Sequence, residues 1–307
     1  MSEAERLSER TERILVTGAA GFVGTCLVNV LLREGYDVHA FVHQKQALGF
    51  SQSDKLRVFY GDVRDVGSIL QALDEVDAVV HLAAAKSDER WSYQVNVEGT
   101  QNLVAACKSR SVRRVIELTT QASPEGVYGR TKRQATQVLR TCDLDVTILA
   151  ANLIYGDDQD GAFGRVIHYV KLLPVVPITG PGKTRLWPIH VDDVCRAMVA
   201  CLRLDRTIGE TYVLAGRDGV TLDEFVDLAS ERLGVRRLKL HIPLSLSLLA
   251  ARIMVAVFPR PPISVSNVLG VNQETEVEHD IEAMVDELGV EPIPLDEGLT
   301  AALGGQG

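Results

Sequence analysis

Tyr128-Gly-Arg-Thr-Lys132 sets a phenol and an ammonium four residues apart. On a helix that spacing puts both on one face, and a positive charge there favours the phenolate form that acid/base work at an alcohol or carbonyl oxygen requires. Thr119-Thr120 ends the strand pattern 112–118 just upstream, which places Thr120 to hydrogen-bond the same substrate oxygen. Such a trio passes a proton while hydride moves at the adjacent carbon, and Lys132 also stands to hold the ribose of a nicotinamide. A second stretch points to the dinucleotide itself. In Ile14-Leu-Val-Thr-Gly-Ala-Ala-Gly-Phe-Val-Gly24, Gly18, Gly21 and Gly24 fall three apart, between an aliphatic run and a helix opened by Phe22 and Val23. Gly18 permits a tight turn, Gly21 has no Cβ to block a pyrophosphate, and Gly24 lets the helix pack close. The anion would rest on the helix N-terminus, where free N–H groups point at it.

The elements that must position these groups alternate in type. Strand patterns at residues 37–42, 56–60, 78–83 and 112–118 are separated by helical patterns, the first of them running from Leu27 to Leu32 and closed by Gly35. That alternation predicts an α/β domain built on a doubly wound parallel sheet. Such sheets bind ligands at the carboxyl ends of their strands, where the small residues Ala84 and Ala85 leave room for a cofactor. His43-Gln44-Lys45 follows the strand 37–42, at the place where an acidic residue would hydrogen-bond the adenosine ribose of NAD. His43 and Lys45 lean instead to the extra phosphate of NADP, with NAD as the alternative. Beyond Asn152 the alternation weakens into loops rich in Gly and Pro. The expected division is a disordered tail at 1–12, a dinucleotide-binding domain at 13–152 and mainly a smaller substrate lobe at 153–307, interwoven with the first.

With 307 residues, 46% of them hydrophobic, the chain can bury a sizeable core. Its net charge of -9 argues against nucleic acid as a partner, because no basic surplus is available to displace counterions from phosphates. Cys26, Cys107, Cys142, Cys195 and Cys201 are scattered, with no C-x-x-C pair, and fit free thiols in a reducing compartment. The charged N-terminal segment lacks the apolar core of a secretion signal, so a cytoplasmic location is expected. No metal is expected: His190, Asp192 and Asp193 have no further cluster to complete a ligand set, and an Asp before the run 194–202 reads as a helix N-cap. His81, in an apolar strand, reads as a satisfied core residue. Trp187 reads either as a substrate wall or as packing. Residues 242–258 are strongly apolar but short for a membrane span and interrupted by Arg252. A buried or cleft-covering helix is expected there, ended by Pro259-Arg-Pro-Pro262. Docking of Leu244, Leu248, Leu249 and Met254 on a membrane surface is the less favoured alternative, so a membrane is not an expected partner.

Taken together, Thr17-Gly-Ala-Ala-Gly-Phe-Val-Gly24, Gly61-Asp-Val63, His81-Leu-Ala-Ala84, Asn96-Val-Glu-Gly-Thr100, Tyr128-Gly-Arg-Thr-Lys132 and Ile189-His-Val-Asp-Asp193 resemble motifs of one family. This is the extended or atypical short-chain dehydrogenase/reductase superfamily, in its NAD(P)-dependent epimerase/dehydratase group. Leu288-Gly-Val-Glu-Pro292 and Glu297-Gly-Leu299 extend the resemblance to nearly the whole chain. It implies a Rossmann-like fold. It also implies that Asp62 and Val63 contact adenine, that Leu82, Ala83 and Ala84 line the cofactor, that Asn96 helps support it, and that Thr120, Tyr128 and Lys132 are the catalytic trio. A homodimer through the helices containing Asn102–Ala106 and Ala135–Leu139 is implied as well.

Three features depart from nucleotide-sugar epimerases of this family. Ala150-Ala151 stands where an Arg-Pro pair is usual, Leu186 stands where an arginine holds the diphosphate, and the connection from Thr120 to Tyr128 is short. Losing a bidentate anion clamp is costly for a diphosphate ligand, though Arg185 or Lys183 stands nearby. The leading expectation is therefore an NAD(P)-dependent oxidoreductase that interconverts a carbonyl and a secondary alcohol on a small organic substrate. The alternatives are a nucleotide-sugar epimerase/dehydratase, which oxidises and re-reduces one bound substrate, and a non-catalytic NADP-binding accessory protein. The intact Tyr128/Lys132 pair speaks against the last.

Overall fold

The computed structural model describes residues 12–44, 48–86, 89–121, 126–156, 162–257, 265–273 and 281–304. Lys45, the charged N-terminal segment up to residue 11, and the Pro-rich stretch 259–262 lie outside the described residues. Strand β1 (Arg13–Thr17) buries Ile14, Leu15 and Val16 completely, as an aliphatic run covered on both faces does. Helix α1 (Phe22–Arg33) ends through Gly35 at φ 90°, the left-handed stop that its glycine allows. Then come β2 (Asp37–Val42), β3 (Leu56–Tyr60), α2 (Val66–Ala72) and β4 (Ala78–His81). Helix α3 (Glu89–Tyr93) passes through a π-helical turn (Gln94–Glu98) into α4 (Gly99–Ser109). Strand β5 (Arg114–Thr120), α5 (Val127–Arg140) and β6 (Asp145–Ala151) follow.

The later chain adds β7 (Ile154–Tyr155), α6 (Ala162–Leu172), β8 (Val175–Thr179), β9 (Arg185–Leu186), β10 (Ile189–His190) and α7 (Val191–Arg203). Strands β11 (Thr211–Leu214), β12 (Val220–Thr221) and β13 (Leu238–Ile242) alternate with α8 (Leu222–Arg232) and α9 (Leu244–Val257). Helices α10 (Val265–Gly270), α11 (Ile281–Asp286) and α12 (Leu295–Gly304) close it.

Seven strands form one sheet in the order β11-β6-β5-β4-β1-β2-β3, with β1 parallel to both β2 and β4. Ile14 is flanked by Val38 on one side and Ala78 on the other, so the strand order reverses between β1 and β4. This is the doubly wound, Rossmann-like arrangement, whose ligand crevice lies at that switch point.

The chain divides into two compact units, each discontinuous in sequence. One comprises Met1–Thr120, Arg130–Ala150 and Cys195–Tyr212; the other comprises Gln121–Gly129, Ala151–Val194 and Val213–Gly307. The first packs Leu15, Val79, Leu103, Val115, Leu139 and Ile148 into one core. The second has its own core of Tyr155, Phe163, Ile178, Phe225 and Leu299, and three two-stranded pairs, β7 with β10, β9 with β12 and β8 with β13.

Three sequence expectations are corrected. Strand β5 begins at Arg114 and not at residue 112, because Ser111 turns at φ 59° and Val112 N–H still bonds the helix carbonyl of Cys107. Helix α7 begins at Val191, so Asp193 is not its cap: the buried carboxylate lies inside the first turn and accepts from Ile293 N–H at 2.9 Å. Helix α9 is not a buried helix, since Leu246, Leu249, Ile253 and Val257 lie exposed to solvent.

Candidate active site

The glycine bend is built by backbone contact. Gly18 has φ 66°, and a Cβ there would sit 2.7 Å from the amide nitrogen of Ala83, so the ends of β1 and β4 touch with no side chain between them. A Cβ on Gly24 would collide with the Gly18 carbonyl oxygen. Gly21 caps α1 in an extended conformation and no side chain caps the helix, which leaves the first-turn N–H groups at Phe22 and Val23 turned toward the bend. A pyrophosphate suits this cradle, and the residues present therefore fit a dinucleotide.

Thr17 and His81 lock the same corner. Thr100 donates its hydroxyl proton to the Asn96 carbonyl at 2.6 Å, so it accepts from His81 Nε2 at 3.1 Å; His81 Nδ1 then accepts from the Thr17 hydroxyl at 2.8 Å. Thr17 Oγ1 in turn accepts from the N–H groups of Leu82 and Ala83, each at 3.2 Å. Burial, reinforced by the charge of Lys132, pulls the His81 imidazole down to about 3, so it is neutral at any working pH. His81 is thus the satisfied core residue that its strand implied, and it fixes the backbone of the expected cofactor lining.

Asn96 sits in the π-helical turn, fully buried. Its side chain accepts from Ala85 N–H at 2.7 Å and donates to the Ala85 carbonyl at 3.1 Å and to Thr131 Oγ1 at 2.8 Å. It ties the loop after β4 to the helix of Lys132. The extra residue of a π turn is what swings one side chain out of α-helical register to do this.

At the far ends of β2 and β3, His43 Nδ1 lies 3.5 Å from Asp62 Oδ2. Arg64 grips the same carboxylate through Nε at 3.1 and 3.0 Å, and its guanidinium carbon lies 4.0 Å from the centroid of the Trp91 ring. Burial opposes ionisation of Asp62, but the Arg64 guanidinium overcomes it and holds the carboxyl below the usual range. The Val63 side chain is buried in the core, and its carbonyl accepts from the Asn102 side-chain amide at 3.1 Å. Arg64 and Trp91 escaped the sequence reading. Only the i, i+2 spacing of Asp62 and Arg64 hinted at the pairing.

Thr120 ends β5, and Tyr128 and Lys132 lie one turn apart on α5. Tyr128 is half-buried and belongs to the segment 121–129 of the second unit, while Lys132 belongs to the first. Lys132 has 2% of its side chain exposed, and its Nζ donates to Glu117 Oε1 at 3.0 Å; Glu117 is fully buried. The Thr136 hydroxyl lies 3.3 Å from the same oxygen and 2.9 Å from Thr119 Oγ1. Glu117 was also missed. Its signal was a carboxylate inside the apolar run Val115-Ile-Glu-Leu118, which demands a buried cation.

In the second unit the remaining motifs converge. Tyr155 packs edge-on to His190 at 5.2 Å, and a Cβ on Gly298 would strike the Tyr155 hydroxyl, so Gly298 is required there. Leu186, noted above as standing in place of a diphosphate-holding arginine, is buried in the core. Arg185 is exposed, 5.9 Å from the centroid of the half-buried Trp187 ring. Among the described residues no group of three His, Cys, Asp or Glu could hold a metal ion.

The model of the NAD dependent epimerase/dehydratase family matches residues 14–215. A UDP-N-acetylglucosamine 4,6-dehydratase (inverting) of Campylobacter jejuni is 29% identical over 59% of this chain and 60% of its own length. The sterol demethylase protein B of Methylococcus capsulatus is 30% identical over 75% of this chain and 77% of its own. Among solved structures, the dTDP-glucose 4,6-dehydratase DesIV from Streptomyces venezuelae, with NAD bound, superposes with a TM-score of 0.76 over 95% of this chain and 96% of that one, at 24% identity. These matches carry the sugar epimerase/dehydratase alternative further than they carry net carbonyl reduction. The family model spans well over half of the sequence, and this chain belongs to the NAD dependent epimerase/dehydratase family.

Proposed function

We propose that this chain oxidises a secondary alcohol of a bound sugar-nucleotide-like substrate and returns the hydride to the same substrate, as an epimerase or dehydratase does. The supporting observation is the Tyr128/Lys132 pair, one turn apart on α5, in a chain that matches the family model over residues 14–215. A nicotinamide dinucleotide at the glycine bend would supply the hydride acceptor. Tyr128 takes the hydroxyl proton as the carbinol C–H bond breaks, and gives it back to the oxygen when the carbonyl is reduced. Thr120 hydrogen-bonds that oxygen, and Lys132, its ammonium held by Glu117, stands one helical turn from the phenol. His43 and Arg64 beside Asp62, with Lys45 two residues after His43, favour a 2′-phosphate and hence NADP over NAD. Tighter binding of NAD in a side-by-side titration overturns that preference.

Tyr128→Phe tests the assignment. Conversion of UDP-N-acetylglucosamine or dTDP-glucose, with no net change in nicotinamide absorbance, is expected to fall about 10²–10⁴-fold while cofactor affinity holds. Unchanged turnover refutes the role of Tyr128. A second reading, net reduction of an apolar ketone, is favoured by Ala150-Ala151 and the buried Leu186, which leave a diphosphate without its usual arginines. Steady consumption of NADPH with a sterol-like ketone, and none of the sugar nucleotides converted, would select it.

A further inference from the structure

From Arg232 to Gln273 the sequence has no Asp or Glu and six Lys or Arg, in a chain whose net charge is -9. Several apolar residues of the same segment are exposed. On α9, Leu246, Leu249, Ile253 and Val257 are 55%, 54%, 54% and 64% exposed and follow one another at helical spacing along one stripe. The opposite stripe, Ser247 and Ala251, is buried. With Leu248 and Met254 half-buried on the protein side, this helix is apolar on both sides, unlike an ordinary surface helix.

The strand pair next to it repeats the pattern. Val176 and Ile178 of β8 enter the core, while Leu238, Leu240 and Val175 are exposed, with Leu238 in register with Val175 and Leu240 with Pro177. Leu172 and Leu173, at the end of α6 and just beyond it, are exposed as well. Isolated exposed leucines need no explanation, but a run of them along one helix and one sheet face does.

Charge selects the occupant. Arg232 pairs with Asp296, Lys239 with Asp227, and His241 lies 2.9 Å from Asp223. Arg236 and Arg252 are exposed, Arg237 donates to the carbonyls of Val170 and Lys171, and among the described residues none of the three meets a carboxylate. A second copy of this face would bring the same surplus of guanidiniums and no carboxylate of its own left to meet them. An anionic surface meets them with opposite charge. Fourteen residues of α9 are too short to cross a bilayer but long enough to lie in its interface.

We infer that this face of the second unit, the outer stripe of α9 with the outer side of β8 and β13, docks on an anionic lipid bilayer. The leucines enter the acyl boundary and Arg236, Arg237 and Arg252 meet the headgroups. The face shares no residue with the candidate active site, so loss of binding and loss of turnover are separable.

Sedimentation of the full chain with vesicles of phosphatidylglycerol and phosphatidylcholine, against phosphatidylcholine alone, tests this. Partition onto the anionic vesicles is expected to be at least about ten-fold higher, to weaken with rising salt, and to fall about ten-fold or more in Leu246→Glu/Leu249→Glu/Ile253→Glu. Those side chains are exposed, so the triple variant should keep its circular dichroism and melting point. If it does not fold, Leu249→Trp decides: its emission should shift to the blue with anionic vesicles and be quenched by brominated acyl chains. The inference is overturned by equal binding to uncharged vesicles, by no binding, by a Trp emission that vesicles leave unchanged, or by a folded triple variant that binds like the parent. It is likewise overturned if the face instead holds a dimer that the triple variant breaks.

Discussion

The ammonium of Lys132 and the carboxylate of Glu117 are held 3.0 Å apart out of water, so losing either leaves its partner as an uncompensated buried charge. Lys132→Met is expected to destabilise the fold by about 3–5 kcal/mol in urea melts. The double change Lys132→Met/Glu117→Leu should recover much of that stability and none of the turnover, which separates the structural part of Lys132 from its chemistry. His81 gives a pH signature. The unfolded chain protonates it near 6.5, while the folded chain resists until about 3. Within that window the unfolded state binds the extra proton, so stability is intact above 6.5 and is lost as the pH falls. Denaturation midpoints of wild type and His81→Gln at about pH 7 and about pH 5 check this: the wild type should lose more. Tyr128 and Lys132 were legible because helical periodicity turns a spacing of four into a shared face. Glu117 and Arg64 were not, because their partners are chosen by tertiary contact.

At the level of elements, the bend after β1 is a backbone-to-backbone contact, and glycine there answers two constraints at once. Gly18→Ala meets both a left-handed φ of 66° and the Ala83 amide, so a loss of about 2–4 kcal/mol and weaker cofactor binding are expected. Gly209 has φ 86° but open space within 4 Å of where a methyl group would stand, so Gly209→Ala should cost only about 1–2 kcal/mol in the same melts. The bounds of β2 and β3 followed from alternation alone. The start of β5 did not, because a turn at Ser111 keeps Val112 bonded to the preceding helix. The π-helical turn at Asn96 left no mark in the pattern of apolar residues. Helix α9 was misread because a strongly apolar stretch promises burial, and nothing local distinguishes a helix that faces its own core from one that faces outward.

Across the whole molecule, the seven-stranded sheet is finished by residues that come late in the chain. Arg114 on β5 donates to the Asp145 carbonyl and Thr147 Oγ1 of β6, and also to the Cys201 carbonyl and Thr207 Oγ1 of the returning segment. Strand β6 takes its outer neighbour from β11, with Ile148 N–H bonded to the Glu210 carbonyl at 3.0 Å. A fragment ending at residue 152 is therefore expected to aggregate or melt without cooperativity, whereas adding residues 195–214 in trans should restore part of its circular dichroism. A return of this kind adds no shift of composition that a boundary search could find. It also sets an order of events at the ribosome. Six strands will have emerged while the edge of β6 is still bare, and that edge must wait for about sixty further residues, the segment 151–194 of the second unit among them, before its last partner leaves the exit tunnel.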